Sequence, residues 1–130
     1  MTVQSPERWI EDLRRVTDAD PELSSHGRYY SCSFLLDMEE RRYLVRVHRG
    51  KVEEVVLDPG PLDQYQFAIS ASPETWRKFC EAVPPAMYHG LWSTSFRRDM
   101  RLTGDLLVLM QNLRCVTRHM ELLRQIGAPV

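Results

Sequence analysis

Hydrophobic side chains recur along this chain with two different spacings, and each change of spacing marks a predicted element. Near the N-terminus they are three or four residues apart, as on one face of a helix: Trp9, Ile10, Leu13 and Val16. Ser5 and Pro6 precede them and are typical of a helix start, in which serine caps the helix and proline occupies the first helical position. The pattern predicts an amphipathic helix over residues 5–17.

Beyond residue 28 the spacing of the apolar residues changes to two. The alternation predicts three strands, over residues 30–36, 43–47 and 52–56. The connections "DMEER" and "HRGK" are short, so these strands should form an antiparallel meander. Gly50 lies in the second connection, where it can adopt the positive φ angle that a tight turn requires.

A fourth strand and a short helix are predicted after the proline-rich connection "DPGPLDQ". The strand is "YQFAISA", whose alternating positions are Tyr65, Phe67 and Ile69. Ser72 and Pro73 then repeat the helix start seen near the N-terminus. This helix should bury Trp76 and end at the pair of prolines in "AVPPAM".

Three further elements are predicted in the last part of the chain. An unusually aromatic stretch, residues 88–96, has the spacing of a second short helix. The stretch "RRDMRLTG" predicts a brief fifth strand. A long helix is then predicted over residues 105–126.

The predicted long helix has more apolar surface than one buried stripe needs. One line should face the sheet: Leu106, Leu109, Met110, Leu113, Val116, Thr117, Met120 and Leu123. A second line lies on another side: Val108, Cys115, Leu122 and Ile126. The second line requires its own cover, which the first helix, a partner subunit or a ligand would provide. Asn112 and His119 lie between the two lines, where burial would require each to find a hydrogen-bond partner. We expect instead a capped or solvated helix edge.

Composition and charge narrow the class of protein. With 130 residues, 43% of them hydrophobic and 27% charged, and a formal net charge of -1, the chain suits one domain with one core. This balance argues against nucleic acid as a partner. The pattern shows neither a signal peptide nor a membrane span, and three separated cysteines are typical of core residues in a reducing compartment. These features predict a cytoplasmic protein.

The motifs of catalysis and metal binding are missing from the sequence, so we expect no catalytic residue, no metal and no cofactor. The four histidines belong to separate predicted elements, and no HExxH, CxxC or GxSxG motif occurs. Cys80 lies beside Trp76 on the apolar face of its helix, where a core thiol is expected. The least favoured hypothesis is an enzyme for an apolar substrate, with His89 or His119 as base.

Three stretches resemble, in this order, the sterol carrier protein 2 domain and its small stand-alone bacterial relatives. They are "YLVRVHRGKVEEVV" with its Gly-Lys turn, "YQFAISASPETWRKFC" with a Ser-Pro helix start and a buried tryptophan, and "RLTGDLLVLMQNLRCV". The resemblance covers residues 28–126 and leaves residues 1–24 as an added helix and loop in a single domain, 1–130. It implies an α/β fold of the α+β type, with a five-stranded mixed, largely antiparallel sheet, helices on one face, and an apolar tunnel between sheet and helices.

The resemblance also implies a lipid-binding or lipid-carrier function without catalysis, in which the tunnel holds a fatty acyl chain, a sterol or another apolar small molecule. The predicted wall residues are Phe67, Ile69, Trp76, Leu91, Trp92, Phe96, Leu102, Leu106, Leu109, Met110 and Leu113. The alternative is a protein–protein interaction module, in which residues 88–96 fill the tunnel and the second line of the last helix is a homodimer or partner seam. Neither function involves stable membrane insertion.

Overall fold

The structure is a computed structural model that describes residues 5–81 and 100–130. The α-helices are α1 (Pro6–Ala19), α2 (Pro21–His26), α3 (Pro73–Phe79), α4 (Leu106–Gln111) and α5 (Leu113–Leu122). Two 3-10 turns, Gly27–Tyr29 and Leu123–Gln125, follow α2 and α5. The strands are β1 (Cys32–Asp37), β2 (Arg42–His48), β3 (Lys51–Leu57), β4 (Phe67–Ser70) and β5 (Arg101–Gly104). The helix predicted to end at the proline pair ends earlier, at Phe79, where Cys80 is its C-cap. The helix predicted over 88–96 lies outside the described residues.

Each of the first three helices begins with a side-chain cap followed by proline. Ser5 Oγ accepts a hydrogen bond from the backbone N–H of Arg8 at the start of α1 (3.3 Å). Asp20 caps α2 through the N–H of Leu23 (3.1 Å), and Ser72 caps α3 in the same way. Caps of this kind stabilise a helix end by about 1 kcal/mol. The local sequence therefore determines where these helices start.

The five strands form one sheet in the order β3-β2-β1-β4-β5. The central pair, β1 and β4, is parallel, and the other three pairs are antiparallel. The meander of β1, β2 and β3 follows from its short turns, whereas β4 joins the far side of β1 after the long connection over residues 58–66. The predicted five-stranded, mixed and largely antiparallel sheet is confirmed.

The helices and the main hydrophobic core lie on one face of the sheet. Phe34, Val45 and Phe67 project from three adjacent strands into this core, together with buried side chains from all five helices. Among the described residues, the opposite face carries one small separate cluster: Leu35, Leu44 and Ala68, with Val56 packed against them. The sheet is therefore covered by helices on one side, as expected for this fold class.

Tyr30 and Tyr65, the first residues of two predicted strands, lie outside β1 and β4. Tyr30 follows the 3-10 turn, which its own N–H closes by donating to the Gly27 carbonyl (2.9 Å). The Tyr30 carbonyl accepts from the N–H of Gly50 in the β2–β3 turn (2.9 Å). Tyr65 precedes β4 and is exposed. Alternation alone started the first and fourth strands too early, because it reports the spacing of side chains and not the hydrogen bonds of the sheet.

The β2–β3 turn confirms the expectation for Gly50, whose φ angle is 79°. A Cβ atom at this position would lie 3.0 Å from Gly27 Cα and 3.0 Å from the carbonyl oxygen of Leu23. The turn therefore packs backbone against backbone at the end of α2, and only glycine leaves room for that contact.

The prediction of one continuous helix over residues 105–126 is wrong, because the chain forms α4 and α5, which are separated at Asn112. Asn112 has φ -111° and ψ 15°, and its side-chain amide donates a hydrogen bond to the carbonyl of Val108 (2.9 Å). An asparagine bonded to the backbone one turn earlier competes with the helical hydrogen-bond ladder. The hydrophobic spacing continues across this break, so the periodicity did not reveal it.

The second apolar line of the C-terminal segment is covered by the protein's own helices. Cys115 and Leu122 are buried on α5, Ile126 is buried beyond the 3-10 turn, and Val108 packs against the same core. Both α1 and α2 pack against α5. The sequence left open whether the first helix, a partner subunit or a ligand covers this line, and the structure shows that the first helix does so together with α2. The residues considered as a subunit seam are therefore occupied within one chain, which does not favour the interaction-module alternative.

Candidate functional site

The apolar interior between β4 and the helices contains the central residues of the predicted ligand wall. Phe67 and Ile69 of β4 face the helices and are fully buried. The Phe67 ring stacks on Phe34 of the neighbouring strand, with the ring centroids 5.4 Å apart. Phe34 and Phe67 are direct partners in the parallel register of β1 and β4, which places the two rings side by side.

Trp76 closes one side of this interior from α3. Its indole N–H donates a hydrogen bond to the carbonyl oxygen of Asp37 at the end of β1 (2.9 Å). The Trp76 ring also packs edge to face against Phe79, with centroids 6.1 Å apart. A buried indole needs such a partner for its N–H, so the hydrogen bond orients the ring relative to the sheet.

The other predicted wall residues are divided between the interior and the surface. Leu109 is buried in the main core, and Leu102 packs against that core. Leu113 is half-buried, whereas Leu106 and Met110 are exposed on α4. Three predicted wall residues lie outside the described residues: Leu91, Trp92 and Phe96. The assignment of these side chains to a ligand wall stays a prediction, as does the tunnel itself.

A buried polar cluster of Thr17, Tyr30 and His119 joins α1, the segment before β1, and α5. Thr17 Oγ1 donates to the Leu13 carbonyl (2.7 Å) and lies 2.9 Å from His119 Nε2. Tyr30 Oη lies 3.0 Å from His119 Nδ1. Because the Thr17 proton is used toward Leu13, Nε2 must carry the proton that it donates to Thr17. Nδ1 then accepts from the Tyr30 hydroxyl, so the histidine is the neutral Nε2–H tautomer.

This cluster corrects the expectation that His119 lies at a solvated helix edge. His119 is 1% exposed, and its ring also meets the Phe34 ring edge to face. Burial lowers the pKa of His119 to about 4 and raises the pKa of Tyr30 well above its usual range. Both residues are therefore uncharged at neutral pH, and both ring nitrogens of His119 are engaged.

A second polar link holds α2 to α5. The Asp20 carboxylate accepts hydrogen bonds from Nε and Nη2 of Arg118, the shorter of them 2.7 Å. The side chain of Asp20 is 2% exposed, and that of Arg118 is 28% exposed. The Arg118 guanidinium lowers the pKa of Asp20, so the pair is ionised at neutral pH. The same carboxylate caps α2, so one buried charge serves two helices.

Replacing Asp20 by alanine should reduce the free energy of unfolding by about 2 kcal/mol. The variant loses a helix cap worth about 1 kcal/mol and leaves Arg118 without its buried partner, which adds a comparable cost. Urea unfolding followed by circular dichroism would measure the change. Glu74→Ala, which breaks the exposed Lys78–Glu74 pair (3.0 Å), is the matched control and should cost about 0.5 kcal/mol. Equal losses in the two variants would contradict the role given to the buried pair.

The cysteines behave as core residues, as expected from their spacing in the sequence. Cys32, Cys80 and Cys115 are buried as free thiols. Burial raises the pKa of Cys32 and that of Cys80 to about 12. Thiols with such pKa values are protonated at neutral pH and are poor nucleophiles.

One further buried polar group, the Tyr43 hydroxyl, lies in the described part of the chain. Tyr43 Oη is buried and has no hydrogen-bond partner within residues 5–81 and 100–130. Burial raises the pKa of Tyr43 to about 12, so it remains a neutral hydroxyl.

Within residues 5–81 and 100–130 no group of three or more histidine, cysteine, aspartate or glutamate side chains could hold a metal ion. None of their helices has the length and apolar character needed to cross a membrane.

Most of these polar contacts were not predictable from the sequence. Thr17, Tyr30 and His119 come from three separate parts of the chain, and Tyr30 has the spacing of an ordinary strand residue. Arg118 falls on the polar side of the predicted long helix. The one available signal was the Asp-Pro pair before α2, which has the form of a helix start.

This order of elements, with a parallel central pair and helices on one face, matches solved structures. One is a crystal structure of sterol carrier protein 2, with a TM-score of 0.72 and 15% sequence identity, covering 93% of this chain and 96% of that chain. The protein has the sterol carrier protein 2 fold. The second is the solution structure of a conserved hypothetical protein from Thermus thermophilus, described as a possible sterol carrier protein. Its TM-score is 0.72 at 15% identity, covering 98% of this chain and 92% of that chain.

The sterol carrier protein 2 fold confirms the resemblance found in the sequence at the level of architecture. No family model and no curated protein matches the sequence itself. Coverage of 93% and 98% carries the structural match into residues 1–24, the segment expected to be an addition. The domain boundaries expected from the sequence stay a prediction.

Proposed function

We propose that this protein binds a fatty acyl chain, a sterol or another apolar small molecule between its sheet and its helices, and carries it through the cytoplasm without catalysis. The observation that carries the proposal is the sterol carrier protein 2 fold, with a TM-score of 0.72 over 93% of this chain. The described interior supports it, because the side chains of Phe67, Ile69, Trp76 and Leu109 are apolar and buried. Ligand sites for apolar molecules are lined in this way, with a small number of polar groups.

The energetics of an acyl chain suit reversible carriage. A chain of about fifteen methylenes gains at most roughly 12 kcal/mol on leaving water, at about 0.8 kcal/mol for each methylene. Part of this gain is lost to the cost of association. A bilayer offers the same chain a similar gain, so exchange between the protein and a membrane is close to neutral. That balance allows a carrier both to load and to release its cargo.

The non-catalytic part of the proposal is supported by the state of the titratable groups in the core. His119 uses both ring nitrogens in buried hydrogen bonds. The thiols of Cys32 and Cys80 have pKa values of about 12. His89, the other base considered, lies outside the described residues. Chemistry at an apolar substrate would need a titratable group with a pKa near the working pH.

Fluorescent fatty acid binding to the purified protein tests the proposal directly. We expect saturable binding with low micromolar affinity or better, and native mass spectrometry should show a co-purified apolar ligand. Leu109→Trp should weaken binding at least tenfold, because the larger indole occupies space inside the predicted wall. Leu62→Trp is the matched control, since Leu62 is almost fully exposed in the β3–β4 connection.

Two results would argue against a carrier function. One is the absence of binding to fatty acids of short, medium and long chain and to sterols. The other is equal binding by the Leu109→Trp and Leu62→Trp variants, provided that circular dichroism shows both to be folded. In the second case the ligand would bind outside the interior described above.

A further inference from the structure

One end of the sheet gathers exposed cationic and apolar side chains that the proposed cargo site does not use. The strands β1 and β4 begin at this end, and β2 and β5 finish there, because β1 and β4 are parallel and their neighbours antiparallel. The β2–β3 turn and the start of α4 therefore lie at the same end. With about 4.8 Å between neighbouring strands, the β2–β3 turn and the start of α4 are roughly 17 Å apart across the sheet.

The β2–β3 turn and the 3-10 turn after α2 are held together by their backbones. Gly27 and Gly50 are in backbone contact, since a Cβ atom at Gly27 would lie 2.8 Å from Gly50 Cα. The backbone N–H of Arg49 donates to Ser31 Oγ (2.9 Å). Arg28 follows Gly27 and Arg49 precedes Gly50, so this contact brings the two arginines to one depression, which both of them line.

The cationic half of the surface is formed by these two turns. Arg28, Tyr29 and Arg49 line an open depression of about 490 Å³. Within residues 5–81 and 100–130, the side chains of Arg28, Arg49 and Lys51 have no acidic partner within ion-pair distance. Tyr29 between them is 84% exposed. Tyrosine with its ring at a surface and its hydroxyl in water is typical of contacts at a membrane interface.

The apolar half of the surface is α4. Leu107 is 67% exposed, Met110 is 55% exposed and Leu106 is 46% exposed, although Leu109 on the same helix is buried. Asp105 is adjacent, but its carboxylate accepts a hydrogen bond from the N–H of Val108 and caps the helix. Long aliphatic side chains presented to water in one cluster indicate a contact surface.

Arg114 connects the two halves. It lies on the first turn of α5, directly after α4, and its guanidinium donates a hydrogen bond to Nε2 of His26 at the end of α2 (3.2 Å). The nearest carboxylate on α2, Glu22, faces Arg118 instead (3.6 Å). The cationic turns and the apolar helix are thus joined by a further cation.

We propose that this end of the sheet is a docking surface for an anionic phospholipid bilayer. Arg28, Arg49, Lys51 and Arg114 contact the lipid phosphates, Tyr29 lies at the headgroup level, and Leu107 and Met110 enter the acyl boundary. Cations beside exposed aliphatic side chains fit a bilayer, which has charged headgroups above an apolar layer. Nucleic acid lacks that layer. The docking surface rests on the proposed carrier function and deepens it, because it is the face through which cargo would be exchanged.

Sedimentation of the full chain with lipid vesicles tests the proposal, without any added fatty acid. We expect the protein to sediment with vesicles that contain one third phosphatidylserine but not with pure phosphatidylcholine, and to release as salt is raised. Arg28→Ala/Arg49→Ala should weaken binding about thirtyfold, since each cation near such a surface is worth about a fivefold change in affinity. Arg42→Ala/Arg101→Ala removes two exposed cations at the opposite end of the sheet and should change binding less than twofold.

A separate double variant tests the contribution of the apolar half of the surface. Leu107→Gln/Met110→Gln should lower the binding that persists at high salt about tenfold, because the loss of inserted apolar surface is not screened. Unchanged binding in this variant would remove α4 from the docking surface. No binding of the wild-type protein to anionic vesicles, or equal losses in the two arginine pairs, would overturn the proposal.

The vesicle assay and the fatty acid assay separate the two proposals. Fatty acid binding is measured without vesicles, and vesicle binding without fatty acid. Vesicle binding through Arg28 and Arg49 without any fatty acid binding would leave the docking surface established and overturn the carrier function. Fatty acid binding with no vesicle binding would support the carrier and overturn the docking surface.

Discussion

Acidification from about pH 7 to about pH 4 is expected to lower the free energy of unfolding of the wild-type protein by about 3 kcal/mol more than that of the His119→Gln variant. Burial lowers the pKa of His119 to about 4 in the folded state, whereas its ordinary value is 6.5. Below pH 6.5 His119 is protonated in the unfolded chain, whereas in the folded chain it stays neutral until about pH 4. Stability from the neutral histidine is therefore complete above pH 6.5 and is lost as the pH falls through this window.

The hydrogen bonds of His119 explain why the neutral ring is favoured in the folded protein. Nδ1 accepts from the Tyr30 hydroxyl (3.0 Å), and Nε2–H donates to Thr17 (2.9 Å). A protonated ring would place an N–H against the Tyr30 hydroxyl proton in a fully buried site. Asp20 attracts the charged form, but desolvation is the larger influence on the pKa.

Urea unfolding at several pH values between about 7 and 4 would measure this difference. His48→Gln is the matched control, because it makes the same substitution at an exposed histidine at the end of β2. Asp20 does not interfere with the comparison, because its pKa is lowered from 3.8 and the stability that it contributes is lost at more acidic pH in every variant. Parallel profiles for the wild-type and His119→Gln proteins would show that His119 takes up its proton at the same pH in the folded and unfolded states, which would contradict the lowered pKa.

Gly50→Ala is expected to reduce the free energy of unfolding by about 3 kcal/mol. Its φ angle of 79° costs an alanine about 1 kcal/mol or more in backbone strain. The new Cβ atom would also lie 3.0 Å from the carbonyl oxygen of Leu23 and 3.1 Å from that of Gly27. These are backbone atoms at the end of α2, so the turn and the helix must separate, which costs a further 1–3 kcal/mol or so by analogy with overpacked cores.

Gly127→Ala distinguishes backbone strain from crowding. Gly127 has a similar φ angle of 75°, but a Cβ atom there would have no neighbour within 4 Å in the part of the chain that the structure describes. Its replacement should therefore cost about 1 kcal/mol, from strain alone. Chemical denaturation of the two variants gives both values. If Gly50→Ala costs no more than Gly127→Ala, the close contact between the β2–β3 turn and α2 is not rigid, and the support for Arg49 fails with it.

Much of the fold was predictable because it rests on local signals. Alternation located the cores of β1, β2, β3 and β4, and short connections made the first three antiparallel. Ser5 and Ser72, each followed by proline, located the starts of α1 and α3. Gly50 was assigned its positive φ from the length of its turn. In each case the physical cause lies within a few residues of its effect.

The candidate site was less predictable because its parts meet only in three dimensions. Phe67, Ile69 and Trp76 were correctly expected to be buried, since their apolar spacing indicates a core face. The burial of His119 depends on Thr17 and Tyr30, which are 102 and 89 residues away in sequence. Leu106 and Met110 were expected in the core because the helix was predicted to continue through Asn112.

The sequence by itself determined most of the apolar side chains that leave water, where most helices start, and the order of strands and helices that indicated the fold. Tertiary structure alone decided which surface covers each apolar line and which polar groups are buried in pairs. The second apolar line of the C-terminal segment packs against α1 and α2 of the same chain. The reason is physical: periodicity reports that a face is apolar, but its partner depends on packing between elements far apart in the chain.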